Sequence, residues 1–122
     1  MAPTQPFLNA VVRLTIGDAP AALMQQLLKL EAEMGRTIDQ RRQGSEPYRA
    51  RVIDLDIIDF DGQRLDEPTL QLPHPRAHQR RFVLVPLNEL APDFQFPDRD
   101  ESLDTLIRRA PANPMKRLGR LV

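Results

Sequence analysis

Two aspartates separated by one residue form the part of this sequence best suited to chemistry. In the run Ile53-Asp54-Leu55-Asp56-Ile57-Ile58, carboxylates alternate with aliphatic side chains, and alternate residues of a strand point to the same side. The two carboxylates are therefore expected on one face, with Cα atoms about 6.6 to 7 Å apart. Oxygen ligands at this separation can hold one or two Mg²⁺ ions, which keep waters and substrate phosphates as further ligands. An exposed polar strand face without a ligand is the alternative interpretation.

Arginines lie on both sides of a segment that leads into the aspartates. The chain has 15 Arg and two Lys, and guanidinium groups make planar, bidentate contacts with phosphate. Arg36 and Arg51 are the two ends of residues 36–51, a segment with five Arg and two acidic residues. The next charged segment, residues 54–67, has six acidic residues and one Arg. Fixed Arg beside Mg²⁺ is the arrangement that phosphoryl transfer requires. Taken singly, each Arg is more typical of a solvated surface charge.

Both histidines of the chain fall in a third charged block, residues 74–82, together with three Arg. His74 and His78 are four residues apart, but Pro73 and Pro75 make a helical zinc pair doubtful, and no third protein ligand is evident. The basic, acidic, basic order along the middle of the chain suits a cation and a polyphosphate that share one site.

Hydrophobic periodicity predicts the elements that would position these residues. Residues 9–16 and 52–60 alternate as strands, and the second is closed by the turn pair Asp61-Gly62. Between the strands, helical spacing predicts an amphipathic helix from an N-cap at Asp18 to a stop at Gly35. The expected inward residues are Val12, Leu14 and Ile16 of the first strand and Leu23, Met24, Leu27, Leu28, Leu30 and Met34 of the helix.

The remaining segments are punctuated by glycine and proline. Residues 37–50 have no apolar periodicity and are predicted to be a long exposed loop, while residues 64–65 are expected to return as a short hairpin arm. Prolines leave room for short helices at 77–81 and 86–90. A last amphipathic helix is expected at 102–110.

Composition narrows the class of protein. A length of 122 residues suits one domain, and the absence of Cys excludes a disulfide scaffold, a thiolate zinc site and a Cys nucleophile. Equal numbers of basic and acidic residues, 17 each, and six aromatics argue against nucleic-acid binding. An EF-hand fails because aligning Gly62 with the loop glycine puts Ile57 at the first ligand position. With no membrane span and no signal peptide visible, we expect a soluble cytoplasmic protein.

The motifs together resemble the 6-hydroxymethyl-7,8-dihydropterin pyrophosphokinase family. The combination of Arg-x-x-Asp-Leu-Asp with Leu-Pro-His-Pro is highly specific to that family. The segments that carry the resemblance are Phe7-Leu8-Asn9-Ala10-Val11-Val12, Glu31, Gly35-Arg36, Arg51-Val52-Ile53-Asp54-Leu55-Asp56-Ile57-Ile58, Leu72-Pro73-His74-Pro75-Arg76, Arg80-Arg81-Phe82-Val83-Leu84-Val85-Pro86-Leu87 and Ala91-Pro92.

The resemblance implies a ferredoxin-like α+β fold in a single pyrophosphokinase-like domain over residues 1–122. It implies transfer of a diphosphate from ATP to a reduced pterin in folate biosynthesis, with release of AMP. Asp54 and Asp56 would bind two Mg²⁺ ions that bridge the ATP phosphates, and Arg36 with Arg51 would stabilise charge on the transferring group.

The resemblance also implies the substrate contacts. ATP would be contacted by Ile57, His74 and Arg80, with Arg41, Arg42 and Arg49 as secondary candidates for phosphate. The pterin would lie between the rings of Phe7 and Phe82, with its edge bonded to Asn9. Without the resemblance, both aromatic residues are typical of a core.

The family begins with a strand, a helix and a second strand that this sequence lacks, so the first strand-helix unit is expected to be missing. Its loss would expose a sheet edge, and a homo-oligomer is one way of covering that edge. Two alternatives to the enzyme follow. One is a shortened non-catalytic homologue that binds nucleotide or a protein partner through the exposed edge, and the other is a generic metal- or anion-binding ferredoxin-like domain.

Overall fold

A computed structural model of the chain describes residues 8–41, 53–112 and 115–119. These residues form a mixed α and β structure, as predicted. In chain order the elements are helix α1 (Pro20–Arg41), strands β1 (Leu65–Glu67) and β2 (Leu70–Leu72), a 3₁₀ helix (Ala77–Gln79), and helices α2 (Arg81–Leu90) and α3 (Leu103–Arg109). The sheet of the described residues is this two-stranded hairpin, so a ferredoxin-like arrangement stays a prediction. None of the described helices combines the length and apolarity needed to cross a membrane.

Helix α1 is longer than the sequence predicted. It begins at Pro20, where a missing N–H costs nothing, so the N-cap position falls on Ala19 and not on the expected Asp18. Gly35 does not end the helix, because it keeps a negative φ and the helix continues to Arg41. A glycine inside a helix costs only about 1 kcal/mol relative to alanine. Of the predicted apolar stripe, Leu23, Met24 and Leu27 are packed, while Leu28, Leu30 and Met34 stay exposed.

A tight turn precedes the hairpin. Asp61 and Gly62 have φ values of 55° and 69°, and the N–H of Gln63 donates to the carbonyl of Phe60 at 3.0 Å. Positive φ at both central residues is typical of a type I′ turn, which confirms the predicted Asp-Gly turn. Strand β1 follows this turn and pairs antiparallel with β2, which comes later in the chain. Leu65 lies opposite Leu72, Asp66 opposite Gln71 and Glu67 opposite Leu70.

The prediction of strands at 9–16 and 52–60 is wrong for the described residues of both segments. Neither 9–16 nor 53–60 belongs to a strand. Val12, Leu14 and Ile16, expected to point inward, are 60%, 63% and 38% exposed. Alternation produces a strand only where a neighbouring strand and a covering layer are available, and the hairpin within the described residues pairs with neither segment.

The alternation of residues 53–57 survives without strand pairing. Asp54 and Asp56 are exposed, Ile53 and Leu55 are half-buried, and Ile57 is buried. The predicted separation of acidic and aliphatic faces is therefore present in this segment.

Two clusters of apolar side chains hold the described residues together. The hairpin cluster consists of Ile57, Leu70 and Leu72, with Leu23, Met24, Leu27, Phe60 and Leu65 packed against them. The helical cluster consists of Ala77, Val83, Leu84, Leu87, Phe96, Leu103, Leu106 and Ala110, with Val11, Ile58, Phe82, Phe94 and Ile107 packed against them. The neighbouring residues Ile57 and Ile58 thus contact different clusters.

Helix α2 begins at Arg81, five residues before the expected start at Pro86. A proline inside a helix costs about 3 kcal/mol. Burial of an aliphatic side chain returns about 1.5–3 kcal/mol, and α2 buries three, Val83, Leu84 and Leu87. Packing of this face therefore outweighs the proline.

Helix α3 matches the prediction for residues 102–110. The Oγ of Ser102 accepts the N–H of Thr105 at 3.2 Å and caps the first turn, and the side chains of Leu103 and Leu106 are buried in the helical cluster.

Candidate active site

Three contacts fix the segment that carries the aspartates. Oε2 of Glu31, on α1, accepts the N–H of Leu55 at 2.6 Å. Ile57 is buried in the hairpin cluster, and the carbonyl of Ile58 accepts the N–H of His74 at 2.9 Å. The backbone from Leu55 to Ile58 is therefore held on both sides, while the carboxylates of the segment remain accessible.

His74 faces the second aspartate. Its Nε2 lies 3.9 Å from Oδ2 of Asp56, and its Nδ1 accepts the N–H of Arg76 at 3.1 Å. Because Nδ1 is an acceptor, the neutral ring carries its proton on Nε2. The nitrogen that faces Asp56 is thus a hydrogen-bond donor, available to a carboxylate or to a phosphate oxygen beside it.

The electrostatics of His74 show which charged groups surround it. Partial burial lowers the pKa of His74 below its ordinary value of 6.5, and the cations Arg80 and Arg76 act in the same direction. The carboxylates of Asp56 and Asp54 oppose this shift by favouring the charged ring. The structure therefore brings four of the predicted site residues into one electrostatic environment.

A pocket of about 240 Å³ opens beside this cluster. Asp56 and His74 provide charged and polar groups at its wall, and Ile57 and Leu70 provide apolar surface. The residues that line the pocket are Met24, Asp56, Ile57, Pro68, Thr69, Leu70, Gln71, His74 and Pro75. Of the residues that the resemblance assigned to ATP, Ile57 and His74 lie in this wall.

Arg80 and Phe82 contact each other at the start of α2. The guanidinium carbon of Arg80 lies 5.7 Å from the ring centroid of Phe82, within range of a cation–π contact. Phe82 is half-buried and packs against the helical cluster. The ring therefore serves as a core contact and supports Arg80, and its contact with a pterin stays a prediction.

Asn9 is the remaining predicted site residue whose side chain lies within the described part of the structure. Asn9 is exposed in the segment whose Val11 packs against the helical cluster. Arg36 and Arg41 belong to the last part of α1, but their side chains lie outside the described part of the structure. The candidates that lie wholly outside the described residues are Phe7, Arg42, Arg49 and Arg51.

Asp54 and Asp56 supply oxygen donors, the type of ligand that Mg²⁺ prefers. Within residues 8–41, 53–112 and 115–119, no group of three or more His, Cys, Asp or Glu is placed to hold a metal ion. Mg²⁺ binds through one or two carboxylates and keeps waters and phosphate oxygens as its other ligands. Asp54 and Asp56, both exposed on one held segment, suit that mode of binding.

Glu31 is a residue whose role the sequence reasoning missed. It entered only as one residue of the family motif. The signal was its position four residues after Leu27, on the face of α1 that packs against the hairpin cluster. A glutamate on an apolar helix face is partly buried, and buried polar groups need a hydrogen-bond partner. Here the partner is the N–H of Leu55.

Carboxylates, an imidazole donor and an Arg are side chains that phosphoryl-transfer sites use. The profile of the 7,8-dihydro-6-hydroxymethylpterin-pyrophosphokinase family matches residues 1–92. The chain belongs to this family.

Three curated relatives that support the assignment are named 2-amino-4-hydroxy-6-hydroxymethyldihydropteridine pyrophosphokinase. The Pseudomonas aeruginosa protein is 39% identical over 112 residues, which is 92% of this chain and 65% of the relative. The Synechocystis protein is 36% identical over 108 residues, 88% of this chain and 52% of the relative. The Methylorubrum extorquens protein is 41% identical over 88 residues, 72% of this chain and 52% of the relative. The chain thus spans between half and two-thirds of the length of these relatives.

Proposed function

We propose that the chain transfers a diphosphate from ATP to 6-hydroxymethyl-7,8-dihydropterin, with release of AMP, as a step of folate biosynthesis. The observation that carries the proposal is the pair Asp56 and His74, 3.9 Å apart in the wall of the 240 Å³ pocket, with Asp54 exposed two residues before Asp56. Family membership supports the same reaction, since the relatives are named for it.

The reaction joins the hydroxymethyl oxygen of the pterin to the β-phosphorus of ATP. The bond between that phosphorus and the oxygen leading to the α-phosphate breaks, AMP carries away the electron pair, and the hydroxyl proton passes to solvent. Little covalent chemistry is required of the protein in such a transfer, so positioning and charge neutralisation provide most of the catalysis.

Each residue of the cluster has a role in this proposal. Asp54 and Asp56 would hold Mg²⁺, with two ions expected from the family, and the metal supplies charge neutralisation on the phosphates when it is bound. His74 donates from Nε2 to a phosphate oxygen, and Arg80 adds a fixed positive charge beside it. Ile57, which lies in the wall of the pocket, would contact ATP, as the family resemblance implies.

The remaining roles rest on the family resemblance. Arg36 and Arg51 would stabilise the transferring diphosphate. Phe7 and Phe82 would hold the two faces of the pterin, and Asn9 would bond its edge. The place of Phe82 next to Arg80 supports a pterin site adjacent to the phosphates.

Product analysis tests the proposal directly. The purified 122-residue chain is mixed with ATP, Mg²⁺ and 6-hydroxymethyl-7,8-dihydropterin, and nucleotides are separated by anion-exchange chromatography. We expect AMP in a one-to-one ratio with pterin diphosphate and no ADP. Folded protein that forms no AMP contradicts the proposal.

The same preparation separates the proposal from the shortened, non-catalytic homologue. That alternative predicts calorimetric binding of ATP without turnover. Size-exclusion chromatography of the sample tests the predicted homo-oligomer.

A further inference from the structure

We infer that Glu31 is a positioning residue that sets how the two aspartates present their carboxylates to Mg²⁺ and nucleotide. This inference rests on the proposed function. The contact that carries it is the hydrogen bond from the N–H of Leu55 to Oε2 of Glu31, at 2.6 Å. Leu55 lies between Asp54 and Asp56, so this single bond fixes the peptide unit that joins the first aspartate to the rest of the segment.

The acceptor of this bond is a carboxylate oxygen. Charge-assisted hydrogen bonds are shorter and stronger than neutral ones. The contact is partly buried and joins residues 24 positions apart in the sequence. Partial burial strengthens the bond, since less water competes for either group.

Packing of α1 determines where the Glu31 carboxylate lies. Leu27 is one helical turn before Glu31 and packs against the hairpin cluster. Ile57 belongs to the same cluster, two residues after Leu55. One apolar cluster therefore locates both the helix that supplies the acceptor and the segment that supplies the donor.

The consequence for the metal ligands follows from the spacing of the segment. With Leu55 held by Glu31 and Ile57 held by burial, the residues between and beside them, Asp56 and Asp54, have little freedom to rotate about the chain axis. Residues that hydrogen-bond to metal ligands are not ligands themselves, but their mutation typically lowers metal affinity or activity about 10- to 100-fold. Glu31 acts through the backbone, so we expect an effect near the lower end, about tenfold.

Two substitutions separate positioning from charge. Glu31→Ala removes the acceptor, whereas Glu31→Gln keeps an amide oxygen at the same distance from the helix and removes only the charge. Glu33→Ala is the matched control, because Glu33 is an exposed glutamate two residues further along the same helix, on a different face.

The first measurement tests the contact without reference to function. Hydrogen exchange of the Leu55 amide, followed by ¹⁵N NMR, should be slow in the parent and Glu33→Ala chains and fast in Glu31→Ala. Glu31→Gln should restore most of the protection. Fast exchange in the parent chain, or unchanged protection in Glu31→Ala, overturns the contact itself.

The second measurement tests its consequence. Mg²⁺ is titrated into each folded variant with α,β-methylene-ATP, which cannot release AMP, so that this titration measures binding alone. In a separate assay with ATP and saturating pterin, the Mg²⁺ dependence of AMP formation is recorded. We expect Glu31→Ala to need about tenfold more Mg²⁺, with Glu31→Gln between it and the parent and Glu33→Ala equal to the parent. A structural role alone would lower the melting temperature without moving this Mg²⁺ requirement.

The outcomes are distinguishable from failure of the proposed function. If the parent chain binds no Mg²⁺-nucleotide and forms no AMP, the proposed function fails, and this inference fails with it. If the parent is active and all three variants share its Mg²⁺ requirement, only the positioning role is overturned.

Discussion

Nε2 of His74 lies 3.9 Å from Oδ2 of Asp56, across the junction of two segments that the chain separates by a hairpin. One segment carries the metal-binding candidates and the other is bounded by prolines. Their backbones are joined next to this contact by the hydrogen bond from His74 to Ile58. A carboxylate and an imidazole donor are therefore held side by side, at the place where the proposed function puts the phosphates of ATP.

Removing either carboxylate charge should abolish most of the activity. For Asp54→Asn and Asp56→Asn we expect kcat to fall roughly 100-fold or more, since loss of metal-supplied charge neutralisation costs several kcal/mol and about 1.4 kcal/mol is tenfold in rate. Rates of AMP release measure the effect. Asp61→Asn is the control, because Asn tolerates the positive φ of that exposed turn position. Near-parental rates for both site variants would contradict the assignment.

Loss of the His74 donor should weaken nucleotide binding more than turnover. A hydrogen bond to a charged group contributes about 1.5–3 kcal/mol, so His74→Ala should raise the Kd for ATP about 10- to 100-fold. Calorimetry with a non-hydrolysable analogue measures the change, and Gln79→Ala, at an exposed position of the 3₁₀ helix, is the control.

A second variant separates the donor from the local bond to Arg76. His74→Asn keeps a short side-chain acceptor for the N–H of Arg76 but cannot reach the position of Nε2. We expect its Kd to resemble that of His74→Ala. Full recovery of affinity would show that the histidine acts only by capping its own loop.

Stability should fall as the pH drops through the titration of His78. Arg99 donates from Nη2 to Nε2 of His78 at 2.8 Å, so the folded state holds this ring neutral. Burial and then Arg99 lower its pKa below the ordinary 6.5, against the opposing effect of Asp98 and Glu101. The unfolded chain then binds more protons, so this stabilisation is present above pH 6.5 and is lost below it.

Thermal unfolding at pH 7.5 and 5.5 checks this sign. The parent chain should melt at a lower temperature at pH 5.5. His78→Gln, which keeps an acceptor for Arg99 but does not titrate, should show a smaller difference. Some difference should remain, because the pKa of His74 is also lowered. An equal difference in both chains would show that the pair has no part in it.

Burial predicts contrasting costs for two leucines. Leu84 is fully buried in the helical cluster, whereas Leu14 is 63% exposed. Leu84→Ala should lower the free energy of unfolding by about 2–5 kcal/mol, and Leu14→Ala should change it by less than about 0.5 kcal/mol. Urea denaturation measures both. A large cost at Leu14 would mean that residues 9–16 do pack as a strand in solution.

Local features of the structure could be predicted from the sequence because they depend on neighbouring residues. The Asp61-Gly62 turn follows from the positive φ that these residue types tolerate. The Ser102 cap of α3 follows from its hydroxyl, and the acidic and aliphatic faces of residues 53–57 follow from alternation. The family motifs also pointed to Asp56 and His74, which the structure places next to each other.

Features that depend on distant residues could not be predicted. Residues 9–16 have the pattern of a strand, but pairing requires a partner that no local pattern supplies. The bond between Glu31 and Leu55 joins residues 24 positions apart, so only the packing of α1 reveals it. The sequence predicts a helix start at Pro86 because the cost of a proline is local, whereas the burial of Leu84 and Leu87 that offsets this cost depends on tertiary packing.

Ile57 and Ile58 contact different clusters, so under the proposed function nucleotide binding is linked to both halves of the described structure. The aspartates lie immediately before Ile57 and Ile58, so local opening of either half would disturb the distance between the two carboxylates. Conversely, a nucleotide bound at the carboxylates should slow the opening of both units. One unit is α1 with the hairpin, and the other is α2 with α3. Occupancy of one small pocket would thereby make two separately packed units unfold together.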